Sequence, residues 1–551
     1  MARGDGRLTH DLLPGEKGPQ DACGVFGVWA SGEDVAKLTY FGLYALQHRG
    51  QEAAGIAVSD GASMVVFKDL GLVSQVFDEA TLATLQGHIA VGHTRYSTTG
   101  SVTWENTQPS FRTTPAGTGL ALGHNGNLVN TVELAEQARR LGLSDKIAAT
   151  TDSDLLTALL AARPDVSVEQ AALDFLPKLR GAYSLVFMDE HTLYAARDPQ
   201  GVRPLCLGRL ERGWVITSET AALDIVGASF VREIEPGELI AIDEDGLRSM
   251  RFAAPEPKGC LFEYVYLARP DTTISGRNVH ATRVEVGRRL AREAPVEADL
   301  VIPVPESGTP AAIGFAEESG IRYGTGLVKN SYVGRTLAFE APVDADLVIP
   351  VPESGTPAAI GYAEQSGIPY GAGLVKNAYV GRTFIQPSQT IRQLGIRLKL
   401  NPLRDIIRGK RLVVVDDSIV RGNTQRALVR MLREAGAVEV HVRISSPPVK
   451  WPCFYGIDFA SRAELIASGL DEEGIRASIG ADSLGYVSLD GLVAASDQPR
   501  SRLCTACFTG KYPIPLGEVV GKHVLEGIER RATAVPGGLV GAGAEDALAR
   551  P

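Results

Sequence analysis

Residues 412–424 read LVVVDDSIVRGNT. Asp416 and Asp417 end a valine-rich apolar run abruptly, and Ser418, Arg421, Gly422, Asn423 and Thr424 follow. Paired carboxylates can hold sugar hydroxyls and a divalent cation, because hard cations take oxygen ligands. A glycine-containing loop that opens a helix offers backbone N–H groups to a phosphate, and Gly422 allows close approach. Together these residues point to a phosphorylated sugar bound with Mg2+. The bland alternative is a strand-to-helix turn with solvated acids. A second reactive group is Cys23, at the head of CGVFGVWA; a lone cysteine there is more commonly core than nucleophile. Cys260, Cys453, Cys504 and Cys507 include one Cys-x-x-Cys pair. Such a pair is redox-active, zinc-binding or accidental. Four thiolates can hold zinc or a 4Fe–4S cluster, and spacing does not choose between them.

The elements that must position these groups follow from periodicity. The apolar run before Asp416 predicts a strand buried on both faces. Ala427, Leu428, Met431, Leu432 and Ala435 recur at helical spacing, and Gly436 stops that helix. The acids then sit at the carboxyl end of a strand, where open α/β sheets bind ligands. Upstream, CGVFGVWA predicts a strand and residues 37–47 a helix. GAYSLVFMD, TLYAARDPQGVRPL and WVITSETAALDIVG read as alternating strands and turns. Residues 252–258, FAAPEPK, have the composition of a domain boundary. VEVHVRISSPP predicts a parallel strand, SRAELIASG and EEGIRASIG helices, SLGYVSLDGLV a strand, and residues 518–531 a terminal helix. Residues 1–22 and 532–551 are predicted to be disordered.

A chain of 551 residues is too long for one compact core, so two or more domains are expected. An apolar fraction of 44% with 22% charged residues is globular, and a net charge of −10 argues against nucleic acid as main partner. No apolar run approaches bilayer length, and the amino terminus lacks the apolar core of a secretory signal. The expected compartment is the cytoplasm, where disulfides are rare. The six cysteines therefore need another reading; Cys206, on an apolar strand, is read as inert core.

Cys23 is followed in order by TYFGLYALQHRGQEAAGIAV, HIAVGHTRYSTTG, ALGHNGN and TTDSDLLTALL. This series resembles the N-terminal-nucleophile glutamine amidotransferases over residues 23–250. The resemblance implies a four-layer αββα domain at 23–255. It implies a propeptide, 1–22, cut so that Cys23 becomes the amino terminus and its α-amine acts as base. It gives Asn125 and the Gly126 backbone the oxyanion, Arg95 the glutamine α-carboxylate and Asp152 the glutamine α-amine. Taken singly, Arg95 is a surface ion pair, Asn125-Gly126 a hairpin turn, and Asp152 or Ser153 a helix cap.

Residues 412–424 resemble the phosphoribosylpyrophosphate (PRPP) loop of type I phosphoribosyltransferases. That likeness implies an α/β domain at 256–520, with a helix and tail at 521–551. It implies that Asp416 and Asp417 contact ribose and Mg2+, and that Ser418, Arg421, Gly422, Asn423 and Thr424 cradle the 5-phosphate. CLFEYVYLARPD, PCFYGID and CTACFTGKYP resemble the cluster segments of Bacillus-type amidophosphoribosyltransferases, a family likeness that covers residues 10–515. It makes Cys260, Cys453, Cys504 and Cys507 ligands of a structural 4Fe–4S cluster. It implies glutamine and PRPP as substrates, a two-site transfer of ammonia giving 5-phosphoribosylamine at the first committed step of purine synthesis, feedback by purine nucleotides, and a homotetramer.

Residues 294–336 and 341–383 are copies of one sequence that differ at six positions: Glu297/Asp344, Phe315/Tyr362, Glu318/Gln365, Arg322/Pro369, Thr325/Ala372 and Ser331/Ala378. Two copies are too few for a solenoid; the repeat reads as a recent tandem duplication or an assembly artefact. In the family the PESG loop binds pyrophosphate, its serine helps ligate Mg2+, and the KNxYVGRT tail is a flap over PRPP. One sheet has one slot for this strand. The second copy runs on into the rest of the flap, so Ser354, Gly355, Thr356, Lys376, Tyr379 and Arg382 are the expected PRPP residues, with Ser307 the alternative to Ser354 at Mg2+. A PRPP-sensing regulator, or a variant impaired by the duplication, is the alternative function; an amidotransferase with another acceptor and an iron–sulfur redox protein are further rivals.

Overall fold

The structure is a computed structural model that describes residues 22–96, 102–143, 150–163, 165–329, 400–457 and 462–516. Two antiparallel sheets, of seven and six strands, form the first domain. Strand Gly24–Ala30 lies at the middle of the larger sheet, between Ile89–Arg95 and Gly213–Thr217. Strand Gly119–Leu128 lies in the smaller, between Ser110–Thr113 and Gly181–Met188. Val25, Val91, Ala121, Val186, Ile216 and Ile240 fill the space between the sheets. The central strands Gly24–Ala30 and Gly181–Met188 are covered on both faces and almost wholly buried, so their sequences run apolar without strict alternation. Helix Val35–Ala45 packs on one outer face, and Thr131–Arg140, Asp152–Ala161 and Val168–Phe175 pack on the other. The expected four layers, helix–sheet–sheet–helix, are those observed.

In the second domain, strands Leu300–Pro303, Arg411–Asp416, Glu439–Ile444 and Ser483–Tyr486 form a parallel sheet in that order. Helices Val279–Glu293, Thr309–Ser319 and Leu489–Ser496 cover one face. Helix Asn423–Glu434 covers the other, burying Leu428, Met431 and Leu432. This helix begins two residues before Gln425, so Asn423 and Thr424 belong to its first turn and not to the loop. The segment SRAELIASG forms only single turns, Arg462–Glu464 and Ile466–Gly469, whereas Glu472–Ile479 is a helix as expected.

The strand beside Arg411–Asp416 comes from the first copy of the repeat: Leu300 pairs with Leu412 and Pro303 with Val415. The preference for the second copy in this slot is thereby corrected, and Ser354, Gly355, Thr356, Lys376, Tyr379 and Arg382 lie outside the described residues. The reason is connectivity. Helix Val279–Glu293 ends just before Leu300, and Asp299 anchors the join by accepting from Arg411 N at 2.9 Å. Seating the first copy leaves only residues 294–299 between that helix and the strand, a usual length for such a connection.

Residues 252–258 are no free tether. Glu256 N donates to Pro199 O at 2.7 Å and Lys258 N to Gln200 O at 2.6 Å, so the boundary segment runs along the first domain. No helix among the described residues is long and apolar enough to cross a membrane. The expected propeptide (up to Asp21), terminal helix and tail lie outside the described residues.

Candidate active sites

Cys23, Arg95, Gly126 and Asp152 line one crevice, with Gln108 and His124 beside them. The two sheets bring them together. Gly24 faces Thr94 across the larger sheet, which sets Cys23 beside the end of the strand that carries Arg95. Asp152 opens helix Asp152–Ala161, and its Oδ2 accepts from Leu128 N at 3.0 Å. The cap of that helix is Thr151, whose Oγ1 accepts from Asp154 N at 3.2 Å, and neither Asp152 nor Ser153 fills that role. Asn125-Gly126 is not a hairpin turn either. It lies within strand Gly119–Leu128, paired with Ser184 and Tyr183. Gly126 has φ +150°, and a Cβ there would sit 2.0 Å from Ala182 O, so no other residue fits. The Asn125 amide is fully buried, and among the described residues neither its N nor its O has a partner. An unpaired buried amide carries a desolvation penalty of about 1–3 kcal/mol, which an oxyanion would relieve.

Burial pushes the Cys23 thiol up to about 11, against weaker pulls from Tyr96 and Arg95. Its hydrogen bonds are with the Tyr96 backbone, to O at 3.2 Å and from N at 3.4 Å. Among the described residues no side-chain base bonds it. His93 is pushed down to about 3 by burial, and burial lowers His124 too, so both imidazoles are neutral. Arg95 is 2% exposed, and burial lowers its guanidinium while Cys23, Glu52 and Asp152 support its charge. Glu52 Oε2 lies 3.8 Å from Arg95 Nη1, and a buried guanidinium at a crevice wall fits a carboxylate ligand as well.

The second site is a cavity of about 180 Å3, lined by Tyr266, Val304, Ser307 and every residue from Asp416 to Gln425. All the residues expected of a PRPP loop, from Asp416 to Thr424, thus meet here, joined by the first-copy serine. Gly422 has φ +79° and starts its helix with no side-chain cap, which leaves the first-turn N–H groups to an anion. Asp416 is raised well above the carboxylate range by burial and then by Asp417. Gln425, not foreseen from the sequence, donates to Asp416, and Ser418 donates to Asp417. Two adjoining buried carboxylates with no cationic partner bonded to them among the described residues suit a divalent cation.

Cys260 and Cys504 are direct neighbours on a two-stranded parallel ladder. Cys507 O accepts from Lys450 N and Trp451 N, each at 3.0 Å, which ties the Cys-x-x-Cys turn to the segment leading to Cys453. All four cysteines are free, and Cys507 feels the charges of the other three. Burial raises Cys260, Cys504 and Cys507. Among the described residues no group of three or more side chains closes to single-ion geometry. Burial opposes the charge on the fully buried Arg203, while Cys260, Glu263 and Cys453 support it. Four free thiols brought together in this way are chemically suited to zinc or to an iron–sulfur cluster. Cys206 stands apart, its Sγ donating to Thr217 O at 3.3 Å.

Sequence reasoning missed a buried ion-pair network that joins the two domains. Glu263, just past Cys260, accepts from Arg49, and from Arg203 at 3.1 Å. Glu219 binds Arg49, His48 at 2.6 Å, Arg269 N at 3.0 Å and Thr272 Oγ1 at 2.6 Å. Burial opposes the charge on Glu219, but His48 and Arg49 outweigh it and hold its carboxyl well below the usual range.

The comparisons agree with this division. A glutamine amidotransferase domain model matches residues 93–224. The amidophosphoribosyltransferase of Mycobacterium tuberculosis is 67% identical over 92% of this chain and 90% of its own. That of Bacillus subtilis is 43% identical over 94% and 99%. The solved glutamine PRPP amidotransferase from B. subtilis, complexed with ADP and GMP, matches with a TM-score of 0.78 at 42% identity, covering 91% of this chain and 100% of that one. With identity this high across both domains and both crevices, the chain belongs to the amidophosphoribosyltransferase family.

Proposed function

We propose that the family reaction is divided here between Cys23 and the paired acids. The enzyme transfers ammonia from glutamine to PRPP and yields 5-phosphoribosylamine, glutamate and pyrophosphate, the first step of purine biosynthesis. The observation that carries this reading is the assembly of two separate crevices in one chain, one built on a thiol with Arg95 and Asp152, the other on Asp416–Gln425.

In the first crevice Arg95 pairs with the glutamine α-carboxylate and Asp152 with its α-amine. Sulfur attacks the amide carbon, and the oxyanion forms against the Asn125 amide and Gly126 backbone. A thiol near 11 with neutral histidines around it lacks a side-chain base. Removal of the leader before Cys23 would supply one, the freed α-amine, which takes the thiol proton and gives it to departing ammonia. Water then frees glutamate. Ammonia passes by an enclosed path to the second crevice, adds to carbon 1 of PRPP and displaces pyrophosphate. Asp416, Asp417 and Ser307 would hold Mg2+, which stabilises the leaving pyrophosphate when bound. Cys260, Cys453, Cys504 and Cys507 would hold a 4Fe–4S cluster as a structural tie. We take purine nucleotides to be inhibitors and the assembly to be a tetramer.

Purified enzyme supplied with glutamine and PRPP should release glutamate and pyrophosphate in equal amounts. Glutamate release without pyrophosphate would overturn the coupling. Arg95→Lys should raise the glutamine KM by about 10–100-fold with a smaller change in kcat, because a point charge replaces a bidentate fork; initial rates against glutamine concentration check it. Ser307→Ala should reduce PRPP turnover more than Ser354→Ala, since Ser307 lines the cavity. The reverse order would return the site to the second copy.

A further inference from the structure

The segment Phe454–Gly456 belongs to the second domain, yet it lies against the strand that carries Asn125 and Gly126. A Cβ on Gly456 would stand 3.0 Å from both Cα and carbonyl C of Gly126 and 3.2 Å from its O. Gly456 itself has φ +99°, so the approach is built with a backbone that favours glycine at that point. Next to Gly126, Asn127 Nδ2 donates to Phe454 O at 3.1 Å. Arg203, fully buried, donates twice to Tyr455 O, from Nε at 2.8 Å and Nη2 at 2.7 Å, and its third arm reaches Glu263. Three consecutive residues of the second domain are thus pinned to the first by a backbone contact, an amide and a guanidinium.

Ala182 O also crowds Gly126, 2.0 Å from where a Cβ on it would stand, so Gly456 and Ala182 both limit its movement. An oxyanion donor works through its placement, and displacement by a fraction of an ångström weakens it. We infer that Gly456 and Asn127 are positioning residues for glutamine cleavage, through which the second domain sets the oxyanion-binding strand of the first. This rests on the proposed role of Asn125 and Gly126.

The test measures glutamine-dependent and ammonium-dependent 5-phosphoribosylamine synthesis in the full-length Gly456→Ala and Asn127→Ala enzymes. Gly456→Ala should lower kcat with glutamine about 10-fold or more and Asn127→Ala about 3–10-fold. In both, the glutamine KM and the ammonium-dependent rate should stay within about twofold, because the carboxylate grip and the PRPP site are untouched. A merely structural role would lower both reactions together, and equal loss in the two assays, or no loss in either, would overturn the inference. If Gly456→Ala does not accumulate as folded enzyme, the Asn127→Ala ratio decides alone. Asn125→Ala run in parallel separates the two layers. Unchanged glutamine turnover in that variant defeats the oxyanion assignment itself; its loss beside normal Gly456→Ala and Asn127→Ala enzymes defeats only the positioning role.

Discussion

Cys23→Ala is expected to lower glutamine-dependent synthesis by about 10^3-fold or more while ammonium still supports the reaction at close to the normal rate. The two outcomes come from one geometry. Cys23 carries the one thiol among the described residues lining its crevice, so its loss leaves water to attack an unactivated amide. The PRPP loop is in another domain and does not sense the change. Removing one buried sulfur leaves a void smaller than a methylene-rich side chain would, so the cost in stability is about 1 kcal/mol or less. The same reasoning reaches the leader. With the thiol at about 11, about one in 10^4 is ionised at pH 7, since each unit of difference is a factor of ten. A chain in which the bond before Cys23 is made uncleavable keeps that thiol and gains no amine, so its glutamine turnover should fall nearly as far as that of Cys23→Ala. Steady-state rates with each nitrogen source measure both. Full glutamine activity in an uncleaved chain, verified by its intact mass, would show that another group takes the proton.

Much of this was written in short segments of sequence. Asp416 through Thr424 are contiguous, and the valines before them and the apolar helix after them fix their placement by local periodicity alone. The choice between repeat copies was not legible for the same reason. Near-identical sequences have near-identical propensities, and only the pairing of Leu300 with Leu412 in the folded sheet separates them. The Thr151 cap was misassigned because Thr151, Asp152 and Ser153 are all good capping residues, and only the strand contact of Asp152 to Leu128 N settles their division. Arg49, Arg203, Glu219 and Glu263 looked like any surface charges. The partners of Arg49 lie 170 and 214 residues away and that of Arg203 lies 60 away, beyond any pattern a window of sequence can carry. The same holds for Gly456 against Gly126, where a glycine's meaning appears only once another backbone is beside it.

Asp416→Asn combined with Asp417→Asn should abolish pyrophosphate release, by about 10^3-fold or more, and yet make the metal-free enzyme more heat-resistant. Activity falls because the cation and ribose hydroxyls lose their carboxylate ligands. Stability rises because the folded enzyme holds two acids together out of water. Burial and Asp417 raise Asp416 well above its ordinary value of 3.8, so the native state binds its proton more tightly than the unfolded chain. The stability this gives is fully present below the unfolded value and is lost as pH rises through the folded one. As pH rises from the unfolded value towards the folded one, the metal-free native state carries a growing cost for the charged Asp416, and replacing both acids by amides removes it. The thermal midpoint without Mg2+ should rise by roughly 2–4 °C for each kcal/mol relieved, with a shallower decline towards high pH than in the unsubstituted enzyme. Added Mg2+ should reverse the ranking, raising the midpoint of the unsubstituted enzyme and leaving the variant unmoved, since ligand binding stabilises only a state that can bind it. Thermal scans across pH with and without Mg2+ read all three effects. A variant that melts lower than the parent without metal, or that gains as much from Mg2+, would show that these acids are held by partners other than the cation and that the sugar phosphate is gripped elsewhere. A site that is costly until its ligand arrives is the expected form of a trade between stability and activity, and the adjoining acids Asp416 and Asp417 are where this fold concentrates it.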